Sequence, residues 1–419
     1  MRMTVVGGGS TYTPELIDGI SRLRDSLSID EVVLTDPAAE RLGLVAGLAR
    51  RILARGGHPA RVIATTDLDA AVTDSDVVLI QLRVGGQAAR IGDETWPLDC
   101  GCLGQETTGA GGLAKALRTV PVVLDVADRV RRLAAPGAWI VDFTNPVGIV
   151  TRALLDAGHR AVGLCNVAIG LQRYFARLLE VSPERLELDH IGLNHLTWER
   201  AVRLDGVDQL PLLLDRHAAD MAGHLHLPEN VLTRLGVIPS YYLRYFYQHD
   251  AVVEEQRREP SRGQRVADIE EQLLAMYADE SLDEKPALLS ERGGAFYSEA
   301  AINLVASLMS DHGDVQVVNV RNEGTFPFLP AEAVIEVPGR ITSEAVVPVK
   351  VEPVDPLYSG LISHVSAYEE LALDAALRGG RDRVFRALLA HPLVGQIDLA
   401  DQLTDRLLSA NRQHLAWAR

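Results

Sequence analysis

The residues best suited to chemistry are a cysteine in "GLCN" and a histidine in "GLNHLTW", Cys165 and His195. One thiolate and one imidazole would bind a divalent metal and leave positions open for a substrate. Cysteine is also among the most buried residue types, and a histidine on an apolar run is commonly a satisfied core residue. Spacing alone favours that second reading. Downstream, "IPSYYLRYFYQ" carries Tyr241, Tyr242, Tyr245 and Tyr247. A phenol beside a metal and cationic groups can act as a base. An aromatic segment packed at a domain junction accounts for three of the four.

Near the start, "MTVVGGGSTYTPEL" places Gly7, Gly8, Gly9, Ser10 and Thr11 between an apolar run and a helical pattern. A side-chain-free turn there lets backbone N–H groups approach a pyrophosphate, with the helix N-terminus adding a favourable field. Tyr12 takes the third glycine position of G-x-G-x-x-G, which weakens the motif. Asp36 ends the next apolar run. It is placed to accept ribose hydroxyls, and it would repel a 2′-phosphate, so NAD is favoured over NADP. A structural βα turn without ligand is the competing account.

The segment "QLRVGGQAARIGDETWPLDCGCLGQETTGAGG" reads as a long polar loop holding Arg83, Arg90, Glu94, Glu106, Thr107 and Thr108. Loops of that length in compact domains are usually functional or disordered. Any one of its charges could equally be solvated. Cys100 and Cys102 have no second pair and read as structural. Asn145, at the end of the apolar run in "DFTNPVG", can bond a ribose or sugar hydroxyl or cap the helix after Pro146.

These residues need elements to hold them. Short apolar runs at "MTVV", "EVVLT", "RVIAT", "DVVLI", "WIVDF" and "AVGLC" alternate with helical patterns, the first marked by Pro14 and the stripe Leu16, Ile20, Leu23. Continuous apolar strands alternating with helices imply a parallel sheet covered on both faces. Residues 1–168 are therefore expected to form a doubly wound, Rossmann-type NAD-binding domain. Residues 169–419 mix strands ("LELDHIGLNHLTWERAVRL", "DVQVVNVRN", "AVIEVPGRIT") with amphipathic helices and read as an α+β domain for substrate, metal and oligomer contacts. Asn194 and His195 fall on its first strand in this reading. A crevice between the two parts is the expected ligand site.

Composition bounds the function classes. The 419 residues carry a net charge of −16. That disfavours nucleic acid as a partner. Three cysteines without paired spacing argue for a reducing compartment. The chain enters a strand almost at once, leaving no secretory leader, and no stretch of about 18 apolar residues is present to span a membrane. A cytoplasmic location is expected.

"GGGSTYTPEL", "GQETTGAGG", "DFTNPVGIVT", "GLCN", "GLNHLTW" and "YLRYFY" occur in this order. Together they resemble the family 4 glycoside hydrolases, within them the 6-phospho-β-glucosidases, over residues 1 to about 338. That family stands outside the usual two-carboxylate scheme. The resemblance implies an architecture like the lactate and malate dehydrogenases, NAD, and a divalent metal, usually manganese. It implies Cys165 and His195 as metal ligands, reversing the preference from spacing. It implies Tyr242 as the base, Glu106 as its support, and Arg90, Asn145, Asn166 and Arg262 as phosphosugar contacts. The implied reaction is hydrolysis of a 6-phospho-β-glucoside by transient NAD-dependent oxidation at C3, C2 deprotonation and elimination. A homodimer or homotetramer is expected. Asn166 stands where α-specific relatives carry an acidic residue, which favours the β reading. Ala168 and Phe246 depart from "CNVPIG" and "YLRYYY", as changes in turn and packing. A plain NAD-dependent dehydrogenase of a hydroxy acid or sugar shares the glycine turn and Asp36. Other family 4 specificities, 6-phospho-α-glucosidase or α-galactosidase type, also remain open.

Overall fold

A computed structural model describes residues 1–294, 296–310 and 313–418. Six parallel strands form the first half: β1 (Arg2–Val6), β2 (Glu31–Thr35), β3 (Arg61–Thr65), β4 (Val77–Ile80), β5 (Trp139–Asp142) and β6 (Ala161–Gly163). Their spatial order is β6-β5-β4-β1-β2-β3, so the winding reverses between β1 and β4. Loops at the carboxyl ends of those two strands diverge there and leave a crevice. All four residues of β4 and of β5 are buried, and all but Asp142 are apolar, so both faces of these strands are covered. That is why these runs show no alternation.

A hairpin of β7 (Leu186–Leu193) and β8 (Leu196–Leu204) starts a second, smaller sheet, joined by β9 (Val207–Asp208) and β10 (Ile238–Pro239). Three later strands do not stay with it. β11 (Val315–Arg321), β12 (Val334–Ile341) and β13 (Val346–Pro348) run antiparallel beyond β6 and extend the first sheet to nine strands. The runs expected within the second unit thus complete the first sheet. Burial explains it: Val318, Val320, Ile335 and Val337 join the same apolar core as β5 and β6.

Two local expectations are corrected. The polar stretch after β4 is not a loop. It contains a 14-residue helix, Gly86–Asp99, followed by a turn and the helix Gly109–Leu133. Its polar residues face inward, where Asp93 and Glu94 are buried, so the usual apolar stripe is missing. Asn194 and His195 do not lie within a strand either. Leu193 pairs with Leu196, which makes Asn194 and His195 the two-residue tip of the β7–β8 hairpin. His195 adopts a φ of +62°, a left-handed conformation that asparagine and histidine tolerate better than branched residues.

Candidate active site

A cavity of about 1270 Å³ runs from Asp36 past the glycine turn to the residues around Tyr242 and Arg262. At its first end the turn has no room for side chains. A Cβ at Gly7, whose φ is +86°, would fall 2.5 Å from the Gln81 carbonyl oxygen, and one at Gly9 would fall 2.8 Å from the Asp36 carboxyl carbon. The N–H groups of Gly7 and Gly8 both donate to the Thr35 carbonyl at 2.9 Å, so they brace β2. Gly9 N–H donates to Asp36 Oδ2 at 3.2 Å. Gly7, Ser10 and Asp36 line the cavity. Thr11 is turned away: its buried hydroxyl donates to Glu270 Oε1 at 3.0 Å.

Glu270 is a residue that the sequence reading passed over. It sits on the helix Arg262–Tyr277, nearly buried, and also accepts from Arg292 at 2.9 Å and Arg41 at 3.2 Å. Arg41 in turn donates to the Gly9 carbonyl at 2.6 Å. Burial alone would raise the Glu270 pKa, but Arg292 and Arg41 hold it down at about 2. The second half of the chain thereby clamps the glycine turn. The sequence carried a signal: Val266, Glu270, Leu273 and Tyr277 form a buried helical stripe with one carboxylate in an apolar slot.

Deeper in the cavity Glu106 gathers three cations. Arg83 bonds it, Lys115 Nζ lies at 2.6 Å and Arg90 Nε at 3.1 Å. Burial opposes ionisation, yet these charges keep its carboxyl well below the ordinary range. Arg90 is itself shared with Glu94 at 2.8 Å, so its charge is already compensated. Arg262 differs. It opens the helix Arg262–Tyr277, donates one bond to the Glu291 carbonyl at 2.7 Å, and has its pKa lowered by burial and by Arg90 and Arg265. A clustered positive charge at a helix N-terminus suits a phosphate. Asn145 does not cap the following helix, which begins at Val147 without a side-chain cap. Asn145 lines the cavity, and its buried Oδ1 has no partner among the described residues.

At the far end His195 stacks on Tyr242, with centroids 3.7 Å apart and planes 8° apart. Its Nδ1 lies 3.0 Å from Thr107 Oγ1, whose hydroxyl donates to Gln105 Oε1 at 2.8 Å. With that proton spent, the Thr107 oxygen accepts from Nδ1–H, leaving the Nε2 lone pair of His195 for a metal. Burial lowers the imidazole pKa to about 4, so the ring is neutral, as a ligand must be. Cys165 follows β6, and burial pushes its thiol up. The negative charge of Glu336 pushes it the same way, while the backbone N–H groups of Val167 and Asn166 and the Asn194 amide act against both and favour the thiolate. Asn166 stands at the start of the helix Val167–Leu179, whose field acts in the same sense. Among the described residues no group of three or more His, Cys, Asp or Glu side chains is arranged to hold a metal ion. A divalent metal held here by Cys165 and His195 would keep open positions, and the donor set fits one.

A family model described as family 4 glycosyl hydrolase matches residues 2–181, and the family 4 glycosyl hydrolase C-terminal domain matches residues 190–394. The chain is 37% identical to a probable 6-phospho-beta-glucosidase of Bacillus subtilis, over 99% of this chain and 97% of the relative. It is 33% identical to the 6-phospho-beta-glucosidase BglT of Thermotoga maritima, over 99% of each chain. The Thermotoga maritima structure with manganese, NAD+ and glucose-6-phosphate superposes with a TM-score of 0.92, covering 99% of each chain at 33% identity. Malate dehydrogenase from Salinibacter ruber, 18% identical with a TM-score of 0.56 over 91% of this chain and 99% of its own, shares the fold alone. The two profile matches together span most of the chain, and on them the protein belongs to the family 4 glycosyl hydrolases.

Proposed function

We propose that this enzyme hydrolyses 6-phospho-β-glucosides to glucose 6-phosphate and an aglycone, using NAD and a divalent metal. The observation that carries the reading is one cavity joining the glycine turn and Asp36 to Tyr242, which is stacked on His195. The relatives named 6-phospho-beta-glucosidase, and a neighbour holding manganese, NAD+ and glucose-6-phosphate, support it.

When bound, NAD supplies reversible oxidation at the sugar's C3, and the metal supplies positive charge that polarises the adjacent oxygens and favours a phenolate at Tyr242. With C3 at the ketone level the C2 hydrogen is acidic. Tyr242 takes that proton, and the electron pair expels the aglycone from C1. Water would then add at C1 as the proton returns from Tyr242 to C2. Tyr242 is a protonated phenol in the protein alone, its pKa raised by burial and by Tyr241 and Cys165. We assign Arg262 and Asn145 to the phosphosugar, with Asn166 beside the sulfur. Glu106 holds Arg83, Arg90 and Lys115 in place, and its triple pairing leaves it poorly suited to take a proton.

We further assign NAD binding chiefly to residues 1–168, with the substrate and metal residues drawn from both 1–168 and 169–419. A homodimer or homotetramer in the cytoplasm completes the reading. Three free cysteines support a reducing compartment. Among the described residues no helix is long and apolar enough to cross a membrane.

The test is cleavage of a chromogenic 6-phospho-β-glucoside with NAD+ and Mn2+ each omitted in turn. Turnover requiring both, without accumulation of NADH, is expected. Accumulating NADH with no aglycone release would make the protein a dehydrogenase instead.

A further inference from the structure

Behind the proposed metal ligands lies a buried chain of charges that the reaction as described does not use. His190 on β7 faces Glu199 on β8, its cross-strand partner, with Nδ1 2.6 Å from Glu199 Oε1. Its Nε2 lies 3.2 Å from Oε1 of Glu336 on β12. The other oxygen of Glu336 accepts from Asn194 Nδ2 and from Asn319 Nδ2, each at 2.8 Å. Asn194 is the hairpin-tip residue that directly precedes the proposed ligand His195. His190 and Glu199 are 0% exposed and Glu336 1%.

We propose that Glu336 is a positioning residue for the Cys165 and His195 pair, acting through Asn194 at the hairpin tip. The proposal rests on the reading of Cys165 as a metal ligand. An amide side chain has an oxygen end and a nitrogen end, and either fits the same space. A carboxylate accepts only, so Glu336 forces the NH2 end of Asn194 inward. That bond holds the hairpin tip, and with it His195, against the larger sheet. Reversed, Asn194 would present an oxygen to Glu336, and the two acceptors would push the tip away. His190 makes this arrangement tenable. Shared between two carboxylates, it is held as an imidazolium, its pKa raised to about 10 against the cost of burial. It cancels one of the two negative charges and leaves one beside the sulfur, where a divalent cation is attracted. The route also crosses the fold. Glu336 belongs to the nine-stranded sheet, while His190, Glu199 and the Asn194 tip belong to the smaller one. Cys165 comes from one sheet and His195 from the other, so a bond between the sheets sets the distance between the two ligands.

The experiment is titration of the metal-free enzyme with Mn2+, followed by the loss of the free-ion electron paramagnetic resonance signal. Wild type, Glu336→Gln, Asn194→Ala and the double variant are compared, with circular dichroism as the check of fold. Glu336→Gln is expected to weaken Mn2+ binding about 10- to 100-fold, the usual effect of altering a group that orients a ligand. Asn194→Ala is expected to weaken it similarly, and the double variant no more than either alone, because both break one path. Turnover of Glu336→Gln should recover at saturating Mn2+. If Glu336→Gln does not fold, Glu199→Gln at the far end tests the same path and is expected to shift the affinity in the same direction by a smaller factor. Unchanged Mn2+ affinity in a folded Glu336→Gln or Glu199→Gln protein, or additive losses in the double variant, would overturn the proposal. Failure of the wild type to bind Mn2+ would instead overturn the metal assignment itself.

Discussion

The imidazole of His195 and the phenol of Tyr242 lie face to face, 3.7 Å between ring centroids and 8° from parallel. One ring comes from the tip of a hairpin and the other from a single 3-10 turn, Tyr241–Leu243. The stack therefore ties the proposed base to the proposed metal ligand. It also fixes what each substitution should do.

Tyr242→Phe keeps the ring and its stacking but removes the oxygen that takes the C2 proton. Turnover should fall by roughly 10²–10⁴, the usual worth of a positioned general base. Substrate affinity should change little. Product made by the wild type in D2O should carry deuterium at C2, because the proton on the phenol exchanges with solvent. Direct displacement at C1 leaves that position unlabelled, so mass spectrometry of the product separates the two routes.

Cys165→Ser replaces a thiol that a metal can deprotonate with a hydroxyl that stays neutral. Mn2+ binding and turnover should both be lost while the melting temperature of the metal-free protein hardly moves. Full activity after exhaustive chelation would refute the assignment.

Arg262 and Arg90 should behave differently. Arg262→Ala removes a cation from a helix N-terminus where positive charge is clustered. KM for a 6-phosphoglucoside should rise about 10- to 100-fold, the worth of a charge-assisted bond, with little effect on an unphosphorylated analogue. Arg90→Ala leaves Glu94 and Glu106 without a shared partner, so it should lower stability and hurt both substrates alike. Equal losses on both substrates for Arg262→Ala would make it structural.

Glu270 offers a test of the clamp on the glycine turn. Its carboxyl is held at about 2 against an ordinary 4.5. A depressed carboxylate contributes stability above its unfolded pKa and loses it as pH falls toward the folded one. The wild-type melting temperature should therefore drop between about pH 4.5 and 2, and Glu270→Gln should remove part of that slope. Glu270→Ala strands Arg292 and should cost about 3–5 kcal/mol. A variant with unchanged stability and NAD+ affinity would show the clamp to be incidental.

The first strand, the glycine turn and the helix after it were legible in the chain because they are local. An apolar run, three glycines and Pro14 act within 20 residues of one another, and each pushes the backbone the same way. The helix Gly86–Asp99 was hidden because its polar face turns inward toward Arg118 and the cavity, so periodicity pointed to a loop. The hairpin tip at Asn194 and His195 was hidden too, since apolar residues flank the pair closely on both sides, and only the pairing of Leu193 with Leu196 decides the register. The family motifs brought Cys165, His195 and Tyr242 to notice. No spacing in the chain announces that Glu270 reaches Thr11, or that Glu336 reaches Asn194. Those contacts span 259 and 142 positions. They exist because burial leaves each carboxylate no water and obliges it to find a donor wherever the packed sheets and helices bring one. Sequence determined which groups had chemistry to offer, and tertiary packing decided which of them meet.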